Sequence, residues 1–276
     1  KVPLSFSLRS DTSLTRTKAT HARTVKFGLR RIYRESAAWW HENTRELYIP
    51  PSFKDRKFFA PNMNYPYQIE NTHYDVIVVS DFNMLGGAFV STFNYILAAI
   101  RLNMKVGIFH WRRYDTNLGK PLNPQIYELA SKQKLDILVP GDHVKADLVI
   151  VGYPVILQYK IDDSPKIDCK SLVIVVNQMA ARLLNGQDVQ YDPLIVRKHA
   201  KEVFGHEGRY VPISPLVKRL MDQDGRYLTD PDNIWYPMID TENWCDTPIR
   251  WRGMSRKHPV VGRHGRDQYT KWPSDR

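Results

Sequence analysis

Residues Tyr74 to Trp111 read YDVIVVSDFNMLGGAFVSTFNYILAAIRLNMKVGIFHW. Asp75–Ser80 is apolar and rich in β-branched residues, the pattern of a parallel strand buried on both faces. Gly87 to Asn103 places Phe89, Val90, Phe93, Leu97 and Ile100 at helical spacing. Lys105–His110 is a second apolar run. Strand, turn, helix and strand in this order predict the opening of a Rossmann-like α/β domain, a parallel sheet with helices on both faces. Gly86 and Gly87 open the helix, so bare backbone N–H groups stand where phosphate or substrate oxygens can dock.

The alternation continues outward. A helix is predicted over Ile126–Gln133, with strands at Leu135–Val139, Asp147–Tyr153 and Ser171–Asn177. Pro193–Phe204 reads as helix and Arg209–Ile213 as strand. Ser214-Pro215 starts a helix through Met221, because Ser suits the N-cap and Pro the first turn. Ile234–Ile239 is a last apolar run. Upstream, Ala22 to about Leu47 carries a loose helical stripe that Pro50 and Pro51 end, and residues 52–73 form an aromatic, irregular segment. Arg250–Lys257 reads as a linker, and His258–Gly262 as the first strand of another domain. The expected division is a basic extension at 1–73, a Rossmann-like domain at 74–249, and a linker with the start of a truncated second domain at 250–276. The chain is therefore expected to be part of a longer protein.

Hydrophobic residues make up 42% of the chain, enough for a sizeable core. No apolar run reaches the ~18 residues that span a membrane, and residues 1–20 contain no signal-peptide core, so a cytoplasmic protein is expected. The two cysteines, Cys169 and Cys245, stand far apart and outside any C-x-x-C spacing, which argues against a disulfide framework or a zinc site. The net charge is +11 and unevenly spread. Residues 1–74 hold 13 Lys+Arg against 6 Asp+Glu, and residues 250–276 hold 8 against 2. The centre is thus slightly acidic, and the basic flanks could meet nucleic acid, anionic lipid or an anionic substrate, or be a solvated surface.

The dinucleotide fingerprint G-x-G-x-x-G is absent after the first strand, as is the P-loop G-x-x-x-x-G-K-[ST]. What remains is a set of groups past the carboxyl ends of strands, the edge where open α/β sheets bind ligands. Gly86 and Gly87 either allow close approach of a sugar or phosphate, or only make a tight turn. Asp81 either bonds a substrate hydroxyl or caps its own turn. His110 and Trp111 suit sugar binding through an apolar body with a polar tip. Asn177 and Gln178 either contact substrate hydroxyls or satisfy nearby backbone groups. In the tail, PVVGRHGRDQYTKWP (Pro259 to Pro273) sets Arg263, Arg266 and Lys271 just past a strand, a plausible diphosphate site or else a basic linker.

Together DFNMLGGAFVST and VVGRHGRDQYTKWP, a domain's length apart, resemble the two motifs of GT-B glycosyltransferases of the retaining, nucleotide-sugar-dependent group. The resemblance covers about residues 74–276. It implies a Rossmann-like acceptor-side domain followed by the start of a donor-binding domain. It also implies a donor diphosphate bound by Arg263 and Lys271, with Arg266 as a further cation, and acceptor hydroxyls oriented by Asp81, His110 and Asn177. The sequence departs from the family pattern in the added His264-Gly265-Arg266 and in Trp272-Pro273 after Lys271. The family's paired-glutamate segment is not in this chain, so the isolated chain is expected to be inactive. No metal and no cofactor beyond the nucleotide-sugar substrate are expected. The implied partners are a nucleotide-sugar donor and a glycan, lipid-linked or small-molecule acceptor, with peripheral membrane contact through the basic flanks. The rival expectation is a non-catalytic module that binds nucleic acid or an anionic surface through those flanks; nucleic acid is disfavoured because no such motif is present. A non-catalytic scaffold that kept the fold is a third.

Overall fold

The computed structural model describes residues 28–44, 59, 70–84, 86–116, 119–161, 164–181, 186–229 and 233–239. All of these fall within one compact unit that ends at Ile239. Arg263, Arg266, Lys271, the 250–257 linker, the 258–262 strand and most of the 52–69 aromatic segment lie outside the described residues.

Six parallel strands form one sheet: β1 (Glu70–Ser80), β2 (Val106–His110), β3 (Asp136–Leu138), β4 (His143–Val151), β5 (Lys166–Val176) and β6 (Arg209–Pro212). Their spatial order is β3-β2-β1-β4-β5-β6. This is the doubly wound, Rossmann-like arrangement, with a switch point between β1 and β4 where the chain changes direction across the sheet. Val79 lies level with Phe109 of β2 on one side and Val151 of β4 on the other, so three carboxyl ends finish together.

The strands read as continuous apolar runs because both faces are covered. Tyr74, Ile77 and Val79 of β1 enter one core, with Val149, Val151, Ile174 and Val176. Val76 and Val78 enter the other, with Ile150, Val173 and Val175. Successive side chains point to opposite faces, so each strand supplies both cores. The first core also holds residues of a 3-10 turn (Pro154–Gln158) and of the helix at Pro193–Phe204. The second holds residues from the helices at Leu29–Asn43 (α1), Gly87–Arg101 (α2) and Pro124–Ser131 (α3).

The helix at Pro193–Phe204 is α4, and α5 is Pro215–Asp224. Asn123, Asp192 and Ser214 cap α3, α4 and α5, each accepting a backbone N–H of the first turn, and a proline stands at each helix start. Gly205 and Gly225 end α4 and α5 at φ 73° and 69°, the left-handed conformation that glycine adopts without strain.

Three features go beyond the sequence reading. β1, β4 and β5 begin several residues earlier than the apolar runs suggest. Their first halves carry exposed or half-exposed polar side chains such as His73, Lys145 and Asp168. The run Ile234–Ile239 makes no strand, although Trp235 N–H donates to Pro212 O at 2.8 Å beside β6. Finally, α1 is bound into the core. Arg31 is 2% exposed; its Nε reaches Glu35 Oε1 at 2.7 Å and its Nη2 reaches Lys120 O at 2.6 Å. Glu35 Oε2 accepts from Leu122 N at 3.1 Å and from the Tyr127 hydroxyl at 2.5 Å. Burial, with the Glu35 charge beside it, pushes the Tyr127 hydroxyl pKa up. A buried ion pair with its remaining valences satisfied fixes one helix orientation, because breaking it would strand a charge.

Candidate functional site

The carboxyl ends of β1, β2, β4 and β5 bring together Ser80, Asp81, His110, Gly152 and Asn177. The strands deliver them there because β1 ends at Ser80, β2 at His110, β4 at Val151 and β5 at Val176. Three of the five expected acceptor-side positions, Asp81, His110 and Asn177, thus stand at this edge, while Gly86 is the N-cap of α2 and Gly87 its first residue.

Asp81 is 1% exposed and organises the loops around it. Its Oδ1 accepts from Asn83 N at 3.0 Å, closing a local turn; its Oδ2 accepts from Arg113 N at 2.9 Å and the Thr116 hydroxyl at 3.1 Å. These bonds tie the loop after β1 to the loop after β2. Asp81 thus takes the turn-making alternative, with its oxygens already engaged.

His110 is the opposite case. Phe82 N–H donates to its Nδ1 at 3.1 Å, so the ring proton sits on Nε2. Burial pushes its pKa from 6.5 down to about 3, and the cations Arg31 and Arg112 push the same way. The ring is therefore neutral near pH 7. Asp81 Oδ1 lies 3.9 Å from Nδ1, but the two make no ion pair, because that nitrogen is an unprotonated acceptor. The Nε2–H is buried and finds no hydrogen-bond partner among the described residues.

The end of β5 adds two half-satisfied amides. Asn177 Nδ2 donates to Gly152 O at 3.2 Å, while its Oδ1 is buried without a partner among the described residues. Gln178 Oε1 accepts from the Tyr153 hydroxyl at 3.0 Å, while its Nε2 is buried with no partner among the described residues. Arg113 Nη1 approaches the same hydroxyl at 3.4 Å. Each amide thus fills its structural role with one atom and leaves the other unused. Buried polar atoms without partners are uncommon and costly, and here several gather at one sheet edge.

The Gly-Gly turn behaves differently from the tight turn that the sequence suggests. Gly86 has φ −158° and ψ −174°, extended backbone open to any residue. A Cβ on Gly87 would meet nothing within 4 Å. Backbone strain does not require glycine at 86, and neither strain nor crowding requires it at 87. Gly86 also gives α2 no side-chain cap, so among the described residues no capping side chain satisfies its first N–H groups. The glycine that packing does require is Gly152: a Cβ there would lie 2.5 Å from Thr92 Oγ1 and 3.2 Å from Ser80 Oγ. That contact seats α2 directly over the switch point.

Trp111 is corrected. It is fully buried and packs against Phe109 and Phe204, so no sugar can stack on it. The exposed aromatic of this loop is Tyr114. Arg113, Thr116, Gly152 and Tyr153 were not singled out from sequence; the one available signal was their place at or just past a strand end.

Other polar features lie away from this edge. His73, Asp75 and Asp147 bring three ligand-type atoms together near the amino ends of β1 and β4, but Lys170 Nζ already holds Asp147 Oδ1 at 2.6 Å. A hollow of about 480 Å³ beside the amino end of β6 is lined by Lys170, His206, Glu207 and Arg209. Its Glu207 is paired with Arg197 and Lys201, and among the described residues none that lines it has a buried unpartnered side-chain atom, so it is a weaker site than the carboxyl edge.

No protein-family model matches the chain, and no curated protein or solved structure matches it either. No helix among the described residues is long and apolar enough to cross a membrane. What sheet and edge define is a class, a Rossmann-like α/β domain with its polar groups gathered at the switch point.

Proposed function

We propose that the chain carries the acceptor-side domain of a nucleotide-sugar-dependent glycosyltransferase of GT-B type, with the beginning of its donor-binding domain. The observation that carries the reading is the uncapped, glycine-opened N-terminus of α2 at a switch point where buried polar atoms lack partners. A bare helix N-terminus favours anionic or electron-rich oxygens. A neutral His110 with its proton on Nε2 would serve as a hydrogen-bond donor to a substrate oxygen, not as a base. Asn177 Oδ1 would accept from a hydroxyl. Arg263 and Lys271, with Arg266, would neutralise the leaving diphosphate, the charge that develops as the sugar departs. Catalysis would then rest on positioning and charge neutralisation, and the residues that hold the donor sugar would come from a part of the protein beyond this chain. A cytoplasmic location, with peripheral membrane contact through the basic flanks, belongs to the same reading.

The test uses the full-length protein with a panel of UDP-, GDP- and ADP-sugars, measuring donor binding and transfer. At least one donor should bind, and Arg263→Ala should weaken it by ~1.5–3 kcal/mol, as for a charged hydrogen bond. Binding of none of the donors overturns the reading.

A further inference from the structure

The loops after β2 and β4 flank the end of β1, and each carries an exposed tyrosine. Tyr114 stands in the first, and Tyr159 directly after the 3-10 turn in the second. Their rings meet with centroids 5.0 Å apart and planes at 76°. Tyr114 is 42% exposed and Tyr159 56% exposed. A single exposed aromatic is ordinary, but here two rings from separate loops touch and stay half in water at the edge where this fold class binds ligands.

The groups beside the rings narrow the ligand. Arg113 and Asp115 form a two-pronged ion pair next to Tyr114, and the Arg113 guanidinium lies 5.9 Å from the centroid of the Tyr153 ring. Tyr153 in turn bonds Gln178, whose Nε2 has no partner among the described residues. The rim thus offers aromatic faces beside an adjacent planar donor and acceptor. A phosphate would meet the Asp115 charge as well as Arg113. Neighbouring hydroxyls can use both, donating to the carboxylate and accepting from the guanidinium. The apolar C–H face of a pyranose complements the electron-rich face of a tyrosine ring.

We propose that Tyr114 and Tyr159 are a stacking platform for a sugar ring, an acceptor subsite whose hydroxyls are met by Arg113 and Asp115. The proposal rests on the glycosyl-transfer reading for its place in a reaction, but its binding chemistry stands apart from any donor.

The probes are the methyl glycosides of glucose, galactose, mannose and N-acetylglucosamine, with adenosine and uridine as stacking controls. Saturation-transfer NMR on the full chain should show transfer into the ring C–H protons of at least one glycoside. Tyr159→Ala and Tyr114→Ala should each reduce that signal fivefold or more, and Tyr159→Phe, which keeps the ring, should restore most of it. Circular dichroism of each variant separates lost binding from lost fold. Saturation of no glycoside, alanine variants that fold and bind like the parent, or a nucleoside that displaces the glycoside each overturn the platform. Glycoside binding without any nucleotide-sugar binding would sink the transfer reading and leave the platform standing; donor binding without glycoside binding would do the reverse.

Discussion

The two ends of the sheet treat the same residue types in opposite ways. Near the amino ends, His73 is exposed and His143 half-exposed, 3.0 and 2.9 Å from Asp147 and Asp168. Those carboxyls are held below their usual range, Asp147 mainly by the Lys170 contact and Asp168 mainly by His143. At the carboxyl end, Asp81 is buried and the His110 side chain beside it is only 9% exposed, yet the histidine is neutral and Asp81 is bonded to loop donors instead. Water explains the difference. Exposed charges are solvated, so pairing them changes little. Buried groups must find partners or give up their charge. The carboxyl edge is therefore where this fold keeps its costly polar chemistry, as expected of a site.

That contrast yields predictions in order of effect. Arg31→Ala removes the cation that braces the 120–122 loop beside this edge and strands Glu35, so unfolding in urea should show a loss of ~3–5 kcal/mol. A loss no larger than that of a surface arginine would place α1 outside the core. His110 should make the fold acid-sensitive. The unfolded chain takes up a proton near 6.5, whereas the folded ring resists until about 3. Stability therefore falls as pH drops across that window, by up to ~1.4 kcal/mol per pH unit. His110→Gln should flatten that slope in a urea series at stepped pH, and an unchanged slope would show that the ring titrates normally. Gly152→Ala should cost ~1–3 kcal/mol by overpacking against Thr92, and adding Thr92→Ala should recover much of it.

The smaller effects sharpen the same comparison. Gly87 sits in a helix with open space around it, so Gly87→Ala should raise stability by ~0.5–1 kcal/mol. If this glycine is kept for ligand approach, the same variant in the full-length protein should bind a nucleotide-sugar donor more weakly. At the opposite edge, His73→Ala should leave the melting temperature unchanged, and a clear drop would mean that the amino end is more than a solvated surface.

Much of the fold was legible because buried parallel strands and capped helices write local patterns. DVIVVS and SLVIVVN are apolar on both faces, and Ser214-Pro215 announces a helix start. The early halves of β1, β4 and β5 were not legible. In β5, Lys166, Asp168 and Lys170 face water around buried Ile167, so the run is not continuously apolar. Of the site, the positions past the strand ends could be read, but their states could not. Asp81 could be placed in a turn, but not bonded to Arg113 and Thr116. Trp111 looked like a sugar platform because an aromatic at a strand end has the same letter buried or exposed.

The sequence by itself determined an α/β domain with a parallel sheet, because periodicity and capping act over a few residues and survive without tertiary contacts. Only the tertiary structure decided the order β3-β2-β1-β4-β5-β6, the neutrality of His110 and the burial of Trp111. Each of these depends on groups far apart along the chain. Burial, with the Phe82 N–H and the Arg31 charge, sets the state of one histidine, and burial against a distant segment turns a stacking side chain into a core one.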